Sequence, residues 1–125
     1  MCHQTVSLIA RHLEANAVPT VVMGCARDIV ENAGVPRFLW SDFPLGNSAG
    51  KPDDVTSQRA TLNLALNLFE QADAPRYTVA STQRWSNDLE WQRDFMNIEM
   101  LSKVQLENLK AEFIEQKRVA GKLKQ

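Results

Sequence analysis

Apolar residues recur at helical spacing from the start of the chain: Val6, Ile9, Ala10 and Leu13 share one side, while Arg11 and Glu14 take the other. That spacing predicts an amphipathic helix whose apolar stripe faces a core. The pattern then shifts to a short β-branched run, Thr20-Val21-Val22-Met23, introduced by Pro19 and ended by Gly24. So short a run cannot make a stable helix and reads as a buried parallel strand. Helical character returns from Ala26 to Ala33, with Asp28 in the first turn and Gly34 as the stop. Val35 to Ser41, carrying Phe38, Leu39 and Trp40, is the second expected strand.

Between Asp42 and Asp53 the chain is punctuated by Pro44, Gly46, Gly50 and Pro52, too often for regular structure, and reads as a long loop. Asp53 or Asp54 then caps a helix that runs to about Ala72. Its stripe of Leu62, Ala65, Leu66 and Phe69 is widened by Leu64 and Leu68, which implies burial against a sheet and against a neighbour as well. Pro75 ends this unit, and Tyr77 to Ala80 has the length and composition of a further short strand. Residues 83–97 are polar with Trp85, Trp91 and Phe95 spaced among them; a final amphipathic helix is expected from Ile98 to about Ala120, with Leu106, Leu109 and Phe113 on one face. Gly121 to Gln125 should fray.

The fold class implied is α/β: a small three-layer parallel sheet over residues 1–82, followed by an amphipathic helical extension over residues 83–125. A doubly wound fold normally places a strand before its first helix, so the chain reads as the C-terminal part of a longer unit. At 125 residues and 44% apolar composition, the chain is large enough for one domain with a genuine core. Lysines and arginines number 14 against 15 acidic residues, a net charge of -1 that offers no global attraction for nucleic acid or an anionic membrane. No apolar run is long enough to span a bilayer, and the first residues are too polar for a secretory signal. The two cysteines suit a reducing cytoplasm.

Candidate chemistry collects at Val18 to Pro52, where a cysteine and a backbone-rich loop each follow a strand. Cys25 stands between strand and helix, where the helix dipole and unpaired N–H groups favour thiolate and Arg27 could add positive charge. The alternative is a small side chain packed at a sharp turn. Cys2 precedes the first helix, so the same dipole reasoning makes it a thiolate-prone, accessible thiol, with His3 as base or cation beside it. A frayed terminus is the competing reading. The spacing of Cys2, His3, His12 and Cys25 matches no compact zinc pattern, and no metal or cofactor is expected. In the loop, Asn47, Ser48 and Lys51 with the glycine N–H groups could cradle a small carboxylate or phosphate. Neither the phosphate-loop spacing nor a dinucleotide fingerprint is present. The aromatic residues of the extension lack the basic stripe of a nucleic-acid surface.

Taken together, CHQT at the start, VPTVV after the first helix and the FPLGN loop give a sequence that resembles the selenoprotein B component of the glycine/sarcosine/betaine reductases. It is similar to the shorter, selenocysteine-free relatives of that component, or to a C-terminal fragment of it. The resemblance covers roughly the first 75 residues, with the FPLGN loop and its spacing from VPTVV as its most specific part. It departs from the family pattern in having no selenocysteine, in Thr5 where a further cysteine stands in the selenoprotein form, and in Ser48 where proline often follows the loop. The resemblance implies reductive cleavage of a carbon–nitrogen bond in an amino-acid derivative, within a multisubunit complex. Cys2 would be the nucleophile or redox thiol, aided by His3, with Cys25 its neighbour across the strand ends and Asn47, Ser48 and Lys51 holding substrate carboxylate. The alternative is a non-catalytic subunit acting through a protein partner or through self-association by the C-terminal helix.

Overall fold

The computed structural model describes residues 2–94 and 102–122. Helix α1 (Cys2–Ala15) leads into strand β1 (Val22–Gly24), the short helix α2 (Arg27–Ala33) and strand β2 (Arg37–Trp40). Helix α3 (Val55–Gln71) and strand β3 (Tyr77–Ala80) complete the sheet-forming part. All three strands are parallel, in the order β1-β2-β3, so the chain has the small α/β fold that its pattern predicts. The elements start where local chemistry allows. The Asp54 carboxylate caps α3 by accepting from the Ser57 N–H at 2.9 Å, and Gly34 ends α2 in the left-handed conformation at φ 73°.

Strand alternation separates two cores. Val22 and Phe38 lie side by side in register and, with Ala10, Val30 and Val35, form the core beneath α1 and α2. Leu39 points the other way and meets Ala65 and Leu68 of α3, flanked by Val21, Met23, Leu64, Tyr77 and Val79. Strand order advances in one direction while the crossover helices α2 and α3 lie on opposite faces. The two crossovers therefore have opposite hands, and one departs from the usual right hand.

Helix α1 is rotated from the face its periodicity suggests, keeping only Ala10 of the expected stripe inward. Ser7 and Ala10 are buried, whereas Val6, Ile9 and Leu13 are exposed. Small side chains let the helix lie close on the sheet, and the Ser7 hydroxyl is satisfied within the helix by donating to the His3 carbonyl at 2.6 Å. Helix α3 divides its broad stripe. Ala65 and Leu68 are buried against the sheet with Ser57 and Thr61, and Leu62, Leu66 and Phe69 remain exposed. The two hydroxyl residues are satisfied by Gln83, whose Nε2 donates to Thr61 Oγ1 at 2.7 Å and whose Oε1 accepts from Ser57 Oγ at 2.6 Å. That network ties the segment after β3 to the start of α3. Trp85 adds an edge-on contact with Phe43, ring centroids 5.4 Å apart.

The chain divides into two compact units, Met1–Asn87 and Asp88–Gln125. The second holds helices α4 (Glu90–Asp94) and α5 (Lys103–Lys122), and α5 exposes Val104, Leu109, Phe113, Ile114 and Val119. Phe95 and Ile98 lie outside the described residues, and since Ser102 is not helical the final helix begins at Lys103. Of the segment Gly121 to Gln125 expected to fray, Gly121 and Lys122 continue α5 and the rest lies outside the described residues. Among the described residues no helix is long and apolar enough to cross a membrane.

One ion pair fastens the end of α1 to the start of β2. Glu14 Oε1 accepts from Arg37 Nη1 at 2.7 Å, and Oε2 accepts from the Thr20 N–H at 2.8 Å and hydroxyl at 3.0 Å. Burial raises the Glu14 carboxyl, but Arg37 and Thr20 together outweigh it and hold the pKa below its ordinary value. Since the folded value lies below the unfolded one, this stabilisation is complete at neutral pH and is lost as pH falls through the folded value. Urea midpoints of the wild type and Glu14→Gln should differ at neutral pH and converge only as pH falls below the lowered folded value, where the wild-type carboxyl is also neutral.

Candidate functional site

The connections leaving the carboxyl ends of β1 and β2 turn to opposite faces of the sheet, opening a crevice of the kind in which α/β folds hold ligands. Cys25 follows β1 directly, and the loop beginning at Ser41 follows β2. Helix α1 brings its first residues to the same place. His3 Nε2 lies 3.3 Å from the Cys25 nitrogen and 3.4 Å from the Ala26 nitrogen, and accepts from both N–H groups. The other ring nitrogen, Nδ1, is 3.6 Å from Cys2 Sγ. Cys2 and His3 thus meet through their side chains and Cys25 joins them through its main chain, a cluster exposed at Cys2 and half-buried at Cys25.

Two residues that the sequence pattern does not single out build the seat for this cluster. Gly24 admits the imidazole, because a Cβ there would stand 3.0 Å from His3 Cδ2 and 3.2 Å from Phe38 Cε2. Trp40 pairs with Gly24 across the ladder, and its indole N–H donates to the Cys25 carbonyl at 3.1 Å. The signal for Gly24 is its place as the last residue of a β-branched run, where glycine marks close approach of another group. Nothing local marks Trp40.

Of the loop residues, Asn47 is brought to the cluster through its backbone: the N–H groups of Asn47 and Phe43 are directed at the Cys25 sulfur. The Asn47 side chain turns back on its own loop and donates to the Pro44 carbonyl at 3.2 Å. Gly46, at φ 98°, makes the turn that allows this. Ser48 is half-buried in the same loop. Lys51 lines a different concavity of about 360 Å³, with Thr56, Ser57, Gln83 and Arg84, at the start of α3.

Electrostatics at Cys25 run opposite to the sequence expectation. Burial pushes the thiol above its ordinary value, the Asn47 and Phe43 N–H groups pull it down by a smaller amount, and the Asp42 carboxylate adds to the rise. Helix α2 has only seven residues and a correspondingly weak dipole. Arg27, the cation expected to help, is engaged elsewhere: its guanidinium lies 5.2 Å from the Trp40 ring centroid and pairs with Glu31 at 3.0 Å. The two thiols therefore differ in kind, an exposed one at the start of a 14-residue helix and a half-buried one that resists ionisation. Among the described residues no group of three or more His, Cys, Asp or Glu is placed to hold a metal ion.

Against this geometry stands one informative likeness. The chain is 29% identical over 59 residues to the D-proline reductase subunit gamma of Acetoanaerobium sticklandii. This chain is a distant relative of that reductase subunit. The likeness takes in 47% of the chain and 24% of the relative, so the chain spans about a quarter of that protein's length. No family model matches the chain, and no solved structure does.

Proposed function

We propose that the chain is a thiol-dependent reductase component, acting in the cytoplasm with partner subunits on an amino acid whose carbon–nitrogen bond is cleaved reductively. One observation carries the reading: His3 bridges the Cys2 sulfur and the Cys25 main chain at the strand ends of a chain related to a reductase subunit. Cys2, being exposed, is the nucleophile. Its sulfur attacks the substrate carbon, a carbon–sulfur bond forms, and the carbon–nitrogen bond breaks with its electron pair leaving on nitrogen, which takes up a proton. Cys25 then attacks the Cys2 sulfur; the carbon departs with the bonding pair and is protonated, and the two sulfurs are left as a disulfide. The thiols have supplied two electrons, which an external dithiol restores. The loop residues Asn47 and Ser48 receive the substrate carboxylate; Lys51, which lines the other concavity, takes no part in it.

The test combines labelling with turnover. Iodoacetamide should alkylate Cys2 well before Cys25 at pH 7, as peptide mass spectrometry would record. With dithiothreitol as reductant, ring opening of proline to a linear primary amine, or amine release from sarcosine or betaine, should disappear in Cys2→Ser. Release that survives in Cys2→Ser, or Cys25 reacting first, would remove Cys2 from its assigned role.

A second reading, a non-catalytic subunit that works through a protein partner or through self-association, draws on the apolar residues left in solvent. On α3 these are Leu62, Leu66 and Phe69; on α5 they include Leu109, Phe113 and Ile114. Sedimentation distinguishes it: association that Leu66→Glu or Phe113→Glu abolishes favours a subunit, and a monomer at high concentration counts against self-association.

A further inference from the structure

We infer that His3 is a positioning residue that serves Cys2 as a fixed hydrogen-bond donor and not as its base, held in that role by the turn between β1 and α2. The inference rests on the reading of Cys2 as nucleophile. Every helix begins with backbone N–H groups that lack partners within it. Helix α2 has no side-chain cap of its own, since its N-cap residue is Ala26. Just ahead of the helix, two N–H groups of the turn find their acceptor in another helix: His3 Nε2 takes those of Cys25 and Ala26 at 3.3 and 3.4 Å.

A ring nitrogen that accepts two N–H groups carries a lone pair and no proton. In the neutral imidazole the proton then sits on Nδ1, the nitrogen 3.6 Å from Cys2 Sγ. The sulfur is thus met by an N–H, which supports negative charge on sulfur as it attacks or departs. A general base at this position would need a bare nitrogen facing the thiol, and the bare nitrogen faces the backbone of the turn. The ring is also confined on its flank, where a Cβ on Gly24 would stand 3.0 Å from His3 Cδ2 and 3.3 Å from Nε2. Gly24 is accordingly a positioning residue acting through His3.

The first measurement is made on the unaltered chain. Two-bond proton–nitrogen NMR at about pH 8, where an ordinary imidazole is neutral, should report His3 with a protonated Nδ1 and a bare Nε2. The exposed His12, the other histidine of the chain, supplies the reference for an unconstrained ring. A protonated Nε2 on His3, or the same tautomer mixture as His12, overturns the inference. The second measurement is kinetic. Gly24→Ala displaces the ring without altering Cys2 or His3, and should slow Cys2 alkylation about ten-fold, as should His3→Ala, through loss of a hydrogen bond to charged sulfur. Circular dichroism should be unchanged, and Gly24→Ala should also lose the fixed tautomer. Alkylation at the wild-type rate in both folded variants overturns the inference. These outcomes are separable from the reductase reading: amine release that survives Cys2→Ser defeats that reading while both His3 readouts can stand. A wrong tautomer beside Cys2-dependent release defeats the donor role alone.

Discussion

Replacing Phe38 by alanine should cost about 3–5 kcal/mol, a large share of the whole stability of a small domain. Phe38 is 1% exposed and lies at the centre of the core formed by Ala10, Val22, Val30 and Val35. It is held from both sides, by the in-register Val22 of β1 and by helices α1 and α2 above. Strand β1 has three residues and cannot collapse far into the space a lost ring would leave. At about 4–8 °C per kcal/mol for a unit of this size, the melting temperature should fall by at least about 12 °C. A fall under about 5 °C would show that α1 and α2 close the cavity. Phe38→Leu, which keeps much of the volume, should lose clearly less. The site should suffer with the core, because the Phe38 ring and the His3 imidazole both border the space that a Cβ on Gly24 would take.

Gly50→Ala should cost about 2–4 kcal/mol, the sum of a left-handed backbone strain and a steric overlap. Gly50 has φ 111°, and a Cβ on it would stand 2.8 Å from both the Gln58 Cα and the Gln58 nitrogen. The obstacle is helix backbone, which cannot give way as a side chain could. Next to it, the Lys51 N–H donates to Ser57 Oγ at 3.1 Å and the Lys51 carbonyl accepts from Gln58 Nε2 at 3.0 Å, so displacement would also strip the loop from α3. Gly46 supplies the control. It has φ 98°, and a methyl carbon added there would meet nothing within 4 Å, so Gly46→Ala should lose only the backbone part, about 1–2 kcal/mol. Urea titrations of the two variants check this directly. Equal losses would show that backbone conformation alone sets the cost at Gly50.

The elements of the sheet are readable because their signals are local. Gly24 closes the first strand, Asp54 caps α3 through Ser57, and Tyr77–Ala80 is a strand of the expected extent. Strand ends are shorter than the apolar runs suggest, since pairing stops at Arg37 and Trp40 although Val35 and Ser41 are also buried. The inward faces of the helices are not readable in the same way. Hydrophobic periodicity selects Val6, Ile9, Ala10 and Leu13 on α1, but close packing on a sheet buries only Ala10 of these, together with the small Ser7. The ionisation of Cys25 escapes the sequence for a related reason: a dipole is inferred from helix position, whereas burial depends on what the loop after β2 lays over the sulfur.

By itself the amino-acid order determined the α/β class, the alternation of helix and strand through residue 80, and the choice of Cys2, His3, Cys25 and the FPLGN loop as the places to look. These follow from periods, caps and breakers that act over a few residues. Only the tertiary structure decided that His3 reaches the Cys25 and Ala26 N–H groups, that Asn47 faces the Cys25 sulfur through its backbone, and that Lys51 lines another concavity. Each of those contacts depends on where α1 and the loop after β2 come to rest on the sheet. That placement is set by side-chain volume and hydrogen bonding between segments far apart in the chain, which no local pattern encodes.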